Sequence, residues 1–378
     1  MRPADLFDAP SPAPAAIRRA PPMPVIGNLP PPVTGQAAIT RAAAERLARA
    51  GPAPCRSLSP GAWRGPLRHP ARGWRTLLAA GALIRARLLG GRRAYLAGDG
   101  GWGRLHQLAL IALARALGMR VRLHHHSFAY IDRPDALMRL ILRTGGAGLD
   151  HVFLSPGMRA RFREAYGGAG ARDLTISNAV FLRPAAPVPR RARTSRRLRV
   201  GLLANLTAAK GLHEMIALAR AARAQGLPVE VRLAGPVSDP ADLRALHVAL
   251  AALPGRLRWT GGAVSGEAKA AFYADLDVFA LPTTHLDEAE PAVIWEAAFA
   301  GLPTLAWTRG AVAEQLLPGF GLAPDRPFPP WALSRLAALH ADPDALAEAG
   351  RAACARAEAA AEAGARALAI LVAERDLP

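Results

Sequence analysis

The sequence predicts an α/β protein of two domains, each built on a parallel sheet. Three observations predict it. Asp277 to Trp307 reads as an apolar strand, a polar loop, a helix and a second apolar strand, which is a βαβ unit. The same rhythm of short apolar run, loop and helix opens at Met23 and recurs to residue 166. A Pro/Arg-rich stretch, residues 184–197, separates this series from a second one that starts at Leu198.

Composition bounds the answer. A chain of 378 residues with 51% apolar content suggests two or three domains with buried cores. It has no uncharged apolar run of spanning length, no basic-then-apolar leader, and two cysteines, Cys55 and Cys354. These point to a cytoplasmic location and against a disulfide framework. The formal charge is +19, and 46 of the 48 basic residues are arginine. GC-rich coding bias is one reading; the other is a basic face for an anionic membrane surface or an anionic substrate. Nucleic acid is disfavoured, because the arginines do not alternate with aromatics and only 6% of residues are aromatic.

In chain order, residues 1–22 are Pro/Ala-rich and read as a disordered leader. Residues 23–28 form a first strand, followed by a loop to Gln36 and a helix from Ala37 to Ala50. Strand, Gly-containing loop and helix is an arrangement that presents backbone N–H groups to a phosphate, although the full G-x-G-x-x-G is absent. Residues 52–75 read as loop, 76–90 as helix and 93–98 as strand, and four glycines lie between 98 and 103. A helix to Gly118 and a strand over 120–124 lead to His124, His125 and His126. Side chains alternate across a strand, so 124 and 126 share a face and 125 does not. With no carboxylate or cysteine at ligand spacing, no metal site is expected. A strand over 150–155, a helix to Tyr166 and a segment over 173–181 complete the first series.

The second series opens with a strand over 198–206, the loop Thr207 to Gly211 and a helix over 212–226. A strand over 228–235, a strand and loop over 256–264 and a short helix over 269–275 follow. The strand Val278–Leu281 ends at Pro282; a polar loop carries Glu288; Pro291 starts a helix that holds Glu296 and stops at Gly301. Residues 334–375 read as Ala-rich helix. In open parallel sheets ligands bind beyond the carboxyl ends of the strands, where Glu288 lies.

The run from Pro282 to Pro303 resembles the paired-glutamate motif of the retaining glycosyltransferases of family 4. The match is carried by Pro282, Glu288, Pro291, Glu296, Ala297, Gly301 and Pro303. It extends loosely over residues 23–375 and is tightest in the second domain. The resemblance implies the GT-B fold: two Rossmann-like domains facing each other across a cleft, with the last helix crossing back. The boundaries it suggests are an acceptor-side domain over 23–183, a linker over 184–197, a nucleotide-sugar domain over 198–348 and a returning helix over 349–378. It implies transfer of a sugar, with retention, from a UDP- or GDP-sugar to a glycan or lipid-linked acceptor, in cell-envelope or exopolysaccharide synthesis. No cofactor and no metal are implied, and a place at the inner face of the plasma membrane is compatible.

The resemblance also implies roles. Glu288 contacts the donor sugar, Glu296 the ribose, and Lys210 the diphosphate, with His126 (or, second, His124) near the reaction centre. Thr34, Gly35, Asn205, Gly262, Val264, Pro291 and Ala292 complete the donor site. Asn205 stands where many members carry a basic residue, which removes one positive charge; Arg309 is the candidate to compensate. Ala179 departs mildly from the Asn-Gly turn of the family. Two other readings stay open: a non-catalytic nucleotide-sugar-binding or membrane-associated GT-B protein, and another GT-B enzyme such as a nucleotide-sugar epimerase.

Overall fold

The computed structural model describes residues 20–31, 34–61, 68–167, 172–186, 197–285 and 288–373. The expected leader therefore lies outside the described residues up to residue 19, and the expected linker lies outside them over 187–196.

Two parallel sheets of six strands carry the fold. The first contains β1 (Val25–Gly27), β2 (Cys55–Ser57), β3 (Arg93–Ala97), β4 (Arg120–His124), β5 (Leu149–Phe153) and β6 (Asp173–Thr175), in the order β2-β1-β3-β4-β5-β6. The second contains β7 (Leu198–Leu203), β8 (Val229–Ala234), β9 (Leu257–Trp259), β10 (Val278–Leu281), β11 (Thr304–Trp307) and β12 (Gly321–Leu322), in the order β12-β11-β10-β7-β8-β9. Central strands are buried on both faces by helices, which is why they read as continuous apolar runs and not as alternating ones.

Both sheets reverse their winding direction, the first between β1 and β3 and the second between β7 and β10. A reversal leaves a crevice at the carboxyl ends of the two strands beside it, because the connecting loops diverge there. Residues that line the cleft described below come from both crevices.

The last helix, Pro343–Ala373, starts beside the second sheet and ends on the first. Its Leu368 and Leu371 pack with Met23, Val25, Tyr95 and Ile176. The buried Arg122 guanidinium of β4 donates to the Leu371 carbonyl. No helix among the described residues is long and apolar enough to cross a membrane.

Several element boundaries differ from the sequence expectation. The first helix spans Gly35–Arg49, two residues early, because the Thr34 hydroxyl accepts from Ala37 N–H at 3.1 Å and caps it. Residues 52–75 are not all loop: β2 pairs in parallel with β1, and the next helix already runs from Arg68. A helix at Pro240–Ala252, capped by Asp239, stands where none was expected, as does β12. The Ala-rich tail is two helices, Phe328–Ala341 and Pro343–Ala373, since Pro343 cannot continue the first.

Candidate functional site

A cleft of about 640 Å³ opens between the two sheets. From the first sheet it is lined by Asn28 after β1, by Asp99 to Gly101 after β3, and by His126 and Ser127 after β4. From the second it is lined by Ala204 and Asn205 after β7 and by His285 and Glu288 after β10. Thr34, Gly35, Lys210, Pro291 and Ala292 complete the expected residues in the wall. Thus eight expected residues gather in one cleft: His126 and Glu288 with Thr34, Gly35, Asn205, Lys210, Pro291 and Ala292.

Lys210 and Glu288 are joined by an ion pair across 78 positions of sequence. The loop that carries Lys210 is built tightly. Thr207 caps its single turn, Gly211 leaves it at φ +89°, and Thr284 N–H donates to Ala209 carbonyl at 2.8 Å. A Cβ on Gly211 would fall 2.5 Å from Pro282, so a side chain there would push the loop off the β10 end. Thr283 Oγ1 donates to Glu288 at 3.2 Å and holds the carboxylate on the lysine side. The ammonium and the carboxylate are both mostly shielded, so the pair is a local dipole that an anion entering the cleft can reorganise.

Two helix N-termini face the same space. Gly35 begins the first helix and Ala292 the helix Ala292–Phe299, with Pro291 before it. Their free N–H groups and dipoles favour negative charge. Nothing lies within 4 Å of where a Gly35 Cβ would project, so the glycine leaves room for a ligand and fills no protein contact.

The three histidines split as the alternation argument requires. His126 lines the cleft, and its ring tilts against His124 at 4.2 Å. His124 turns inward to the Tyr95 hydroxyl and does not line the cleft. His125 points to the other face, where Nδ1 meets Tyr130 Oη at 2.8 Å and Nε2 meets His151 Nδ1 at 3.0 Å. Burial lowers His126 to about 4, so the ring is neutral at physiological pH. Its Nε2 is buried with no hydrogen-bond partner, as is Asn178 Oδ1 beside it in the cleft wall. Such atoms cost about 1–3 kcal/mol each until something pairs with them.

Glu296 stands outside the lining. Its carboxylate accepts from Lys269 Nζ at 2.6 Å and from Tyr273 Oη at 2.9 Å, one turn behind Val293. Burial and the neighbouring Glu296 hold the Tyr273 phenol well above its usual range, so it stays a donor. Gly262 and Val264 also lie outside the lining among the described residues; Val264 packs against the second core. Arg309, the candidate to offset Asn205, is likewise not in the lining.

Among the cleft residues that sequence reasoning missed are Asp99, Asn178, His285 and Glu290. The glycine run at 98–103 was the available signal for Asp99. Gly98 donates to the His124 carbonyl at 2.6 Å, and a Cβ there would lie 2.7 Å from that oxygen. Nothing in the pattern marked Glu290, which is buried against the first domain.

Residues 197–354 match the family model described as glycosyl transferases group 1. The second domain is therefore similar to the group 1 glycosyl transferases. The enzyme class expected from the sequence, a hexosyltransferase-type glycosyltransferase, rests on that match. Among solved structures, sucrose-phosphate synthase from Thermosynechococcus elongatus is similar at TM-score 0.69 and 19% identity, over 94% of this chain and 98% of that one. HepE from Anabaena in complex with UDP and glucose is similar at TM-score 0.65 and 16% identity, over 93% and 99%. A glycosyltransferase from Rickettsia africae is similar at TM-score 0.65 and 13% identity, over 93% and 98%. These likenesses show the GT-B fold. No curated protein matches the chain.

Proposed function

We propose that this glycosyltransferase moves a hexosyl group from a nucleotide-diphosphate-sugar, UDP-linked in preference to GDP-linked, to a glycan or lipid-linked acceptor with retention of configuration. The observation that carries the proposal is the Lys210–Glu288 pair, set between two helix N-termini inside the cleft. UDP is preferred because HepE, of the same fold, is a UDP complex.

The chemistry follows from the residues. The donor diphosphate takes Lys210 away from Glu288, and the ammonium offsets the charge that grows on the leaving oxygen. The N-termini at Gly35 and Ala292 add to it, so the reading needs no metal. Glu288, released, faces the sugar beside the anomeric carbon. The unpartnered Nε2 of His126 and Oδ1 of Asn178 are suited to sugar hydroxyls. The anomeric C–O bond breaks with its electron pair going to the diphosphate. The acceptor oxygen bonds the same face of the carbon, and its proton passes to the departing phosphate oxygen. Glu296, held ready by Lys269 and Tyr273, serves the ribose hydroxyls. A role in cell-envelope or exopolysaccharide assembly at the inner membrane surface belongs to the same proposal.

Calorimetric titration with UDP and with GDP, without added metal, tests the donor site in the wild type and in Glu296→Ala. We expect UDP to bind and the variant to bind it about 1–3 kcal/mol more weakly. No binding of either nucleotide would remove the transferase reading in favour of a non-catalytic GT-B protein.

A further inference from the structure

The helix Arg68–Leu88 turns apolar side chains to solvent on the side away from its core contacts. Ala79, Leu83 and Ala86 pack inward against Leu110 and Ile111. At about 100° per residue, Trp74, Leu77, Leu78, Ile84 and Leu88 share the outer arc. They are exposed there: Trp74 by 63%, Leu77 by 64% and Leu88 by 81%. Exposed Trp102, at 82%, and Leu105 extend the apolar surface onto the neighbouring helix. A surface helix of a monomeric protein normally carries polar residues on this side, so the arrangement marks a contact surface.

Charge selects what covers it. The helix Arg68–Leu88 holds five arginines and no aspartate or glutamate. Exposed Arg85 lies within the apolar arc, whereas Arg87 turns to the neighbouring helix and donates to the Leu117 carbonyl at 2.9 Å. Two copies of this face would set like charges against each other, which disfavours self-association. An anionic bilayer meets both properties at once: aromatic and aliphatic side chains enter the headgroup boundary and arginines meet the lipid phosphates.

The face also connects to the cleft. Arg72, on this helix, is paired with Asp99, which lines the cleft. Trp102 directly follows the cleft residue Gly101. We propose that the outer arc of the helix Arg68–Leu88, with Trp102 and Leu105, seats the protein on an anionic lipid bilayer, with the Asp99–Gly101 wall of the cleft at the membrane surface. The surface does not depend on the transferase reading, since it lies outside the donor site.

Co-sedimentation with vesicles tests it, using phosphatidylcholine alone and phosphatidylcholine with about one-third phosphatidylglycerol. The wild type is expected to bind the anionic vesicles, and high salt to weaken this. Trp74→Ser/Leu77→Ser/Leu88→Ser is expected to lower the bound fraction roughly tenfold, because both apolar insertion and charge are needed for stable anchoring. An unchanged circular dichroism spectrum and denaturant midpoint of the triple variant report that the fold is intact. Independently of any variant, brominated anionic lipid should quench wild-type tryptophan fluorescence. Equal binding to both vesicle types, equal binding by the triple variant, or no quenching would each overturn the proposal. So would wild-type dimerisation without lipid that the triple variant abolishes.

Discussion

Glu290 and Asn178 join the two domains at the floor of the cleft. Asn178 N–H donates to the Glu290 carboxylate at 2.6 Å, and Asn178 Nδ2 donates to the Glu290 carbonyl at 2.9 Å. Ser177 Oγ adds a bond to the same carboxylate at 2.8 Å. Burial raises the Glu290 carboxyl to about 7 in spite of these donors. A carboxyl raised in the folded state binds its proton more tightly there than in the unfolded chain. Stability from this group is therefore greatest below the ordinary glutamate range and falls as pH rises toward 7. Glu290→Gln removes the term. The unfolding free energy of the wild type relative to this variant should fall between about pH 4.5 and 7, by on the order of 3 kcal/mol, and level off above. Denaturant titrations across this range check it. A difference independent of pH would show that the carboxyl is ionised throughout.

His126 gives a prediction of opposite sign. Its folded value of about 4 is lowered by burial, so the neutral ring is the stable form in the cleft. Any activity that depends on neutral His126 should be level through neutral pH and fall only as pH drops toward about 4. His126→Asn keeps a polar group but removes the titration, and should lower turnover while abolishing this acidic limb. A limb near the ordinary histidine range in the wild type, lost in the variant, would contradict the buried placement.

Lys210 should matter far more to turnover than to stability. Its pair with Glu288 is mostly shielded but opens on the cleft, and Thr283 still donates to the carboxylate when the ammonium is removed. The stability cost therefore stays near the scale of one hydrogen bond, about 0.5–1.5 kcal/mol. Stabilisation of charge in the transition state by one such group is worth about 2.7–4 kcal/mol. Lys210→Met should thus lower turnover about 10²–10³-fold with little change in unfolding midpoint. Lys210→Arg should rescue only in part, because the planar guanidinium does not reproduce a compact ammonium in this one-turn loop. Release of nucleotide diphosphate from the donor supplies the assay.

Much of this was legible in the sequence because it is local. The strand, loop and helix around Glu288 lie within thirty-one residues, and proline and glycine punctuate each boundary. The alternation of a strand separates His126 from His125 with no knowledge of the fold. What was hidden depends on distance or on marginal signals. The carboxylate of Glu296 turns toward Lys269 and Tyr273, which are 27 and 23 positions away. Glu290 meets Asn178 across 112 positions, and in isolation it reads as one more acidic loop residue. The first turns of the helix Arg68–Leu88 were hidden by Pro70 and Gly73, which argue against helix locally; packing of its inner face overrides them. β2 is three residues long, half exposed and centred on Arg56, so it carries no apolar run to read.

The long-range contacts also allow a test of the returning helix. Arg122 sits on β4 with its guanidinium buried; its Nε lies 4.0 Å from Asp150, and it donates to the Leu371 carbonyl. Leu368 and Leu371 cover Met23 and Val25 beside it. Ending the chain after residue 366 would strip both leucines from this core and leave the guanidinium short of an acceptor in a site that the helix had closed. Loss of a hydrogen bond to a charged group costs about 1.5–3 kcal/mol, and the exposed apolar surface adds to it. The truncated protein should unfold at much lower denaturant in a transition reported by Tyr95 and the first sheet, while the second sheet, whose core draws on Phe328 and Leu336, responds less. Arg122→Met in the full-length chain separates the two causes. It removes the charge while keeping an apolar stem, and should cost less than truncation. If truncation were silent, the last turns of the helix would not be part of the first domain's core.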